Sequence, residues 1–277
     1  MNKISTRKSF GMALAELGEK YPQVVCLDAD LSKSTQSVFF AKKYPERFFE
    51  MGIQEANMIG VAAGLSFAGK IPFICSFAAF ITGRYDQIRM SIGYSNANVK
   101  IIGTHSGVGI GEDGHSQMGL EDVSLMRAIP NMVVLQPGDH EETNHMMEWA
   151  INHSGPVYLR LTRQDLKQFH IKKFTPGIFP LISQGENSQC AFLATGGLLD
   201  VVDSSIQLIE ESKRPSLYNM STLKPLNHDF MSELTKTNRS LIVFEDHSII
   251  GGAGSAIAEW TSEFAPGVQV IRYGVKD

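Results

Sequence analysis

Five apolar runs punctuate the first part of the chain: VVCLDAD (24–30), IPFICSF (71–77), VKIIGTH (99–105), MVVLQP (132–137) and PVYLRLT (156–162). None alternates cleanly between apolar and polar, so each reads as a strand buried on both faces, and the segments between them carry apolar residues at helical spacing. Strands and helices taken in turn predict a parallel α/β sheet. Between Lys167 and Asn187 the rhythm lapses into KQFHIKKFTPGIFPLISQGEN, with two prolines and two glycines, which predicts a linker. It resumes with the strands CAFLAT, PSLYNM, SLIVFED and VQVIRYG, separated by helices near 198–213, 228–235 and 252–264. The expected fold class is therefore α/β, with a parallel-sheet domain over residues 1–166, a linker over 167–187 and a smaller parallel-sheet domain over 188–277. The sequence stops at VKD directly after a strand, so a terminal helix of the second domain is expected to be missing.

Sheets of this kind bind ligands at the carboxyl ends of their strands, which turns attention to the loops that follow. LSKST follows VVCLDAD, SGVGIGEDGHSQMG follows VKIIGTH, and RQD follows PVYLRLT. The second loop is long enough to be functional, and its glycines at 107, 109, 111 and 114 permit close backbone approach. His105 ends the strand before it. A further segment, MGIQEANMIGVAAGLSFAG (51–69), predicts a helix apolar on nearly every face, the pattern of a helix buried in a larger core. One carboxylate, Glu55, stands at its head. It either stabilises the positive end of the helix dipole or awaits a ligand, because a lone buried carboxylate is costly without a partner.

Composition narrows the classes. The 277 residues, 43% hydrophobic and 19% charged, suffice for two domains with sizeable cores. A net charge of −4 and the lack of a basic run argue against a general nucleic-acid surface. Cys26, Cys75 and Cys190 are far apart and set among apolar residues, the pattern of reduced core thiols in a cytosolic protein. No run of about 18 apolar residues offers a membrane span, and Glu16 and Glu19 interrupt the basic start before it could serve as a signal peptide. The cytoplasm is the expected location. GVGIGEDG does not pass directly from strand to helix, which separates it from a dinucleotide fingerprint. The histidines of HEETNH are five apart and do not share a helix face, so no metal site is expected there.

Taken in order and spacing, TRKSFG, DADLSKS, MGIQEANMIGVAAGLSFAG, FAAF, GTHSGVGIGEDG, RAIPNMVVLQPGD, RLTRQDL and EDHSIIGGAGSA resemble the carboxyl-terminal half of the transketolase family over nearly the whole chain. Transketolases transfer two-carbon ketol units with thiamine diphosphate on three α/β domains, and this chain resembles the pyrimidine-binding and carboxyl-terminal ones. The resemblance implies that Glu55 is catalytic: it hydrogen-bonds a ring nitrogen of the cofactor and drives the amino–imino shift by which the cofactor deprotonates its own thiazolium carbon. It further implies that Phe77 and Phe80 line the pyrimidine pocket, with an apolar rim exposed in the free chain, and that Asp30 is the acidic position near the cofactor. Arg7, Ser34 and Arg163 fall on positions that hold the terminal phosphate of a sugar phosphate, a task suited to the planar guanidinium fork. His105 matches the histidine that contacts the reacting oxygens of the ketose, and Asp113 the aspartate that recognises a substrate hydroxyl.

One position departs from the pattern. The family usually reads G-E-D-G-P-S/T-H-Q where this chain reads GEDGHSQM, which sets Gln117 on the place of a histidine close to cofactor and donor. Glutamine hydrogen-bonds but cannot act as a cation or general base, which points to an unusual ketose donor or a role outside central pentose phosphate metabolism. The G-D-G diphosphate motif is absent from the sequence. The Mg²⁺ and diphosphate ligands are then expected from an amino-terminal partner subunit, in a heterotetramer with two composite sites. Other readings of the same scaffold are a β-type subunit of a 2-oxo-acid dehydrogenase, a deoxyxylulose-phosphate synthase-like enzyme, or a non-catalytic stabilising subunit.

Overall fold

The computed structural model describes residues 3–277. Seven strands form the first sheet in the spatial order Thr222–Lys224, Val133–Leu135, Val157–Arg160, Lys100–Thr104, Ile71–Phe77, Val24–Asp28 and Phe48–Glu50. All are parallel except Thr222–Lys224, an antiparallel edge strand that returns from the later part of the chain. Val24–Asp28 and Ile71–Phe77 are buried along their whole length, because helices cover both faces of the sheet. Thr6–Lys20 and His140–Asn152 pack on one face around Phe10, Phe40, Phe73 and Met146. Glu55–Phe67, the π-helical Ile88–Tyr94 and Asp122–Ala128 pack on the other around Met58, Ile74, Ile101 and Met126.

The second sheet runs Gln269–Val275, Ser240–Ser248, Asn187–Ala194, Pro215–Asn219 in parallel, with Leu181–Ser183 antiparallel at its edge. Its helices are Leu198–Ile206, His228–Thr237 and Ala253–Phe264. Met126 and Ile129 of the first domain join Met231, Leu234 and Ile257 of the second in one continuous apolar cluster, so the domains share a core.

Two features place the site. Ile4–Ser5 pairs with Asp165–Leu166, which pins the start of the helix Thr6–Lys20 beside the loop after Val157–Arg160. The chain leaves Val24–Asp28 for Phe48–Glu50 on one side and returns to Ile71–Phe77 on the other, a topological switch that opens a crevice at the carboxyl ends. Glu55–Phe67 departs from the expectation of a helix buried all round. Met58, Ile59, Ala62 and Ala63 face the sheet, whereas Gly60, Val61, Gly64 and Phe67 lie on the surface, since only one side of the helix meets the core. Cys26 and Cys75 are buried with their sulfurs 3.8 Å apart, and Cys190 is half-buried. Among the described residues no helix is long and apolar enough to cross a membrane.

Candidate active site

Two clefts lie at the switch point. The larger, of 570 Å³, brings together Arg7, Ser34, Phe77, Phe80, His105, Asp113, Gln117 and Arg163, residues that are scattered over the sequence. Arg7 sits at its centre: Nη1 donates to the Ser34 carbonyl at 2.7 Å and contacts His105 Nε2 at 3.0 Å. A guanidinium has no acceptor, so His105 Nε2 carries a lone pair, and the ring proton sits on Nδ1, donating to Thr104 Oγ1 at 2.9 Å. Burial, and then the charges of Arg7 and Arg163, pull the His105 pKa down to about 3 and keep the imidazole neutral near pH 7. His105 also holds a φ of +56°, uncommon outside glycine, and its ring stacks on Phe77 at 3.7 Å. Phe77 in turn stacks on Phe80 at 5.3 Å.

Arg163 lines the same cleft, donating to Asp113 Oδ2 at 3.0 Å and to the Ile110 carbonyl at 2.8 Å. Burial, and then repulsion from Arg163, depresses Arg7, whose Nε is buried without a partner among the described residues. The cleft therefore gathers mutually repelling guanidiniums and a spare buried donor.

Sequence reasoning missed Lys33, which adds a third cation to this cleft and lies in the LSKST loop already singled out as polar. It also passed over Asp28, the residue that shapes that loop. Fully buried, Asp28 accepts from Leu31 N at 2.7 Å, Thr35 Oγ1 at 2.7 Å and Ser37 Oγ at 2.8 Å. Burial pushes its carboxyl up to about 6 despite those donors. Asp30, by contrast, lines neither cleft. It takes a φ of +64°, is exposed, and its N–H donates to Glu50 Oε1 at 2.7 Å.

Glu55 opens on a second cleft with Gln54, Gly83, Arg84 and Gln87. It heads its helix, as the dipole reading requires, yet it is 4% exposed. Oε1 accepts from Ser76 Oγ at 3.1 Å, and no hydrogen bond from a described residue reaches Oε2. Phe77 and Phe80 line the first cleft and not this one: Ser76 and Phe77 are consecutive in a strand and point to opposite faces, and Phe80, on the following helix, stacks on Phe77. Of the expected apolar rim, Phe77 is buried and Phe80 half-buried; the exposed apolar side chains are Ile53 at the Glu55 cleft, 76% exposed, with Phe67 at 66% and Tyr94 at 84%.

Together these features define a two-domain parallel α/β protein with a polar cleft at the switch point of its first sheet. Residues 2–168 match the transketolase pyrimidine-binding domain and residues 182–277 the transketolase C-terminal domain, and the chain belongs to the transketolase family. That family implies group transfer with thiamine diphosphate. A Methanocaldococcus jannaschii protein named as a transketolase C-terminal section is 40% identical over 98% of this chain and 86% of its own length. The 6-deoxy-6-sulfo-D-fructose transketolase subunit of a Clostridium species is 35% identical over 98% of this chain and 84% of its own. Rat transketolase is 33% identical, but the chain spans only 44% of its length. Among solved structures, a split-gene transketolase described as an inactive β4 tetramer superposes with a TM-score of 0.90 at 40% identity, covering 99% of this chain and 90% of that one.

Proposed function

We infer that this chain is the carboxyl-terminal subunit of a split transketolase, which with an amino-terminal partner transfers a two-carbon ketol unit from a phosphorylated ketose to an aldose. The observation that carries the reading is the convergence of Arg7, Lys33, Arg163 and neutral His105 in one cleft beside a second cleft where Glu55 keeps a carboxylate oxygen unbonded. The cofactor would supply a nucleophilic carbon that adds to the ketose carbonyl. A ring with a protonatable nitrogen fits the Glu55 cleft, since Ser76 fixes one carboxylate oxygen and leaves the other to hold that proton. Arg7, Lys33 and Arg163 hold the terminal anion of the sugar; His105, its tautomer set by Arg7, offers a lone pair whose bond to Arg7 a substrate can share. Asp113 and Gln117 provide hydrogen-bonding groups toward the hydroxyls. Nothing in the chain supplies Mg²⁺ or diphosphate ligands of the G-D-G kind, and the partner is assigned both.

The partner's seat is the open side of the Glu55–Phe67 helix. A Cβ at Gly60 or Gly64 would meet nothing within 4 Å, so neither glycine is required by packing within this chain. Glycine in an exposed helix interior costs about 1 kcal/mol relative to alanine, and two of them one turn apart, beside Val61 and Phe67, leave a smooth apolar face for another polypeptide. This face continues from the Glu55 cleft, and the full-length relatives carry a further half of chain that must pack somewhere. Gly64→Leu is expected to hold the melting temperature of the free chain or raise it by a few degrees, about 2–4 °C per kcal/mol, while preventing assembly with the partner. Scanning calorimetry and analytical ultracentrifugation check the two halves of that statement; a destabilised free chain that still assembles contradicts it.

The reading as a whole is tested by mixing the chain with the product of a neighbouring reading frame that carries the G-D-G motif, Mg²⁺ and thiamine diphosphate. A larger complex, a cofactor-dependent rise in melting temperature and ketol transfer are expected. A sulfonated and a phosphorylated ketose are compared as donors, because three cations accept either tetrahedral anion and the Clostridium relative is named for the sulfonated one. A mixture that assembles without transferring ketol units from either donor supports the stabilising-subunit reading instead.

A further inference from the structure

Among the described residues the second domain contributes no side chain to either cleft, yet it holds the loop that does. Residues 105–121 connect the strand Lys100–Thr104 to the helix Asp122–Ala128, and the part 105–119 carries Asp113 and Gln117. At the start of the loop Gly107 takes a φ of +76°, and a Cβ there would lie 2.1 Å from Asp246 Oδ2, so the carboxylate of the second domain rests directly against the glycine backbone. At its end, Ser248 N donates to the Leu120 carbonyl at 2.9 Å and Val123 N donates to His247 Nε2 at 3.2 Å. Gly107 N donates to the Gly119 carbonyl at 2.9 Å and ties the two ends together.

Arg160 joins these contacts into one unit. Its side chain is wholly buried; Nε donates to Asp122 Oδ2 at 2.9 Å, Nη1 to Asp246 Oδ1 at 2.6 Å, and Nη2 to the carbonyls of Gly119 at 3.0 Å and Asp246 at 3.1 Å. Tyr158 Oη donates to the same Asp122 oxygen at 2.6 Å. A buried ion triad is a poor device for stability, since desolvation cancels most of its Coulomb energy and an apolar replacement often does as well. It is a good device for registry, because a guanidinium satisfies four acceptors in only one arrangement.

We propose that Asp246 and Arg160 are positioning residues: across the domain boundary they clamp both ends of the loop 105–119 and so fix where Asp113 and Gln117 stand relative to Arg7 and Arg163. The second domain then acts as the foundation of the anion cleft. The inference rests on the reading of that cleft as the substrate site.

The test uses Asp246→Ala, which removes the seat, Gly107→Ala, which drives a methyl group into it, and Asp246→Asn, which keeps the volume, each in the full chain and in the assembled complex. In the assembled complex, Asp246→Ala and Gly107→Ala are expected to raise KM for the phosphorylated ketose about tenfold, with kcat changing less than about threefold, as a loop displaced by roughly an ångström predicts. Asp246→Asn falls between these and the native protein. In the full chain alone, cleavage after Glu112 by a glutamate-specific protease, mapped by mass spectrometry, is expected to accelerate in the first two variants. A merely structural pair would lower the melting temperature and leave KM and Glu112 cleavage as they were, and that result in any folded variant overturns the clamp. Arg163→Ala run alongside separates the two readings: if it leaves KM unchanged the anion-cleft assignment fails, while Glu112 cleavage in the Asp246 and Gly107 variants, where Arg163 still bonds Ile110 and Asp113, reports on the clamp.

Discussion

Replacing Glu55 by glutamine removes turnover by a factor of about 10² or more in the assembled enzyme while the chain folds and assembles as before, the scale expected when a group that handles a proton is lost. Glutamine keeps the shape of the side chain and its carbonyl oxygen still accepts from Ser76 Oγ, whose 3.1 Å bond fixes the head of the helix. What it loses is the ability to hold a proton at the oxygen that no described residue bonds. The dipole reading makes a different forecast: a neutral residue at a helix start costs about 0.3–1 kcal/mol of stability and leaves chemistry alone. Ketol transfer by stopped assay and a thermal midpoint, measured on the same preparation, decide between them. A stable Glu55→Gln enzyme with near-normal turnover would return Glu55 to a capping role.

Arg7→Ala and Arg163→Ala each lower kcat/KM for a phosphorylated substrate about ten- to a hundredfold, the loss of a charge-assisted hydrogen bond of roughly 1.5–3 kcal/mol. The loss is much smaller with a short unphosphorylated aldehyde as acceptor. The two variants differ in one further respect. Arg7 donates to His105 Nε2 and, after burial, is the larger of the two charges holding that imidazole neutral. Removing it lets the His105 pKa rise toward the ordinary value, a shift visible by NMR of the imidazole protons without any assay. Equal losses for phosphorylated and unphosphorylated substrates would show that the arginines serve the loop contacts alone.

The doubly buried strands were legible in the sequence because a parallel sheet covered on both faces demands largely apolar runs, and Val24–Asp28 and Ile71–Phe77 supply them with only Asp28 and Ser76 polar. Most residues that line the larger cleft stood in quotable motifs too, in loops that follow strands, with Arg7 near the start of the chain as the exception. What escaped depends on contacts that no local pattern encodes. Thr222–Lys224 leaves the second half of the chain to pair with Val133–Leu135, an edge-strand choice set by tertiary packing. Asp28 looked like the polar end of a strand, and only its three donors show that it builds the Ser34 turn. Arg160 and Asp246 stand 86 residues apart, and neither sequence neighbourhood hints at the other. The helix Glu55–Phe67 was misjudged for a related reason: composition reports that a face is apolar and says nothing of which molecule covers it.

The central claim, that this chain holds half of a composite cofactor site, is tested most directly by titrating thiamine diphosphate and Mg²⁺ into the chain alone by isothermal calorimetry, and then into the chain assembled with its partner. Weak, Mg²⁺-independent binding and no ketol transfer are predicted for the chain alone, with tight Mg²⁺-dependent binding appearing only after assembly; tight Mg²⁺-dependent binding with turnover by the isolated chain would contradict the account.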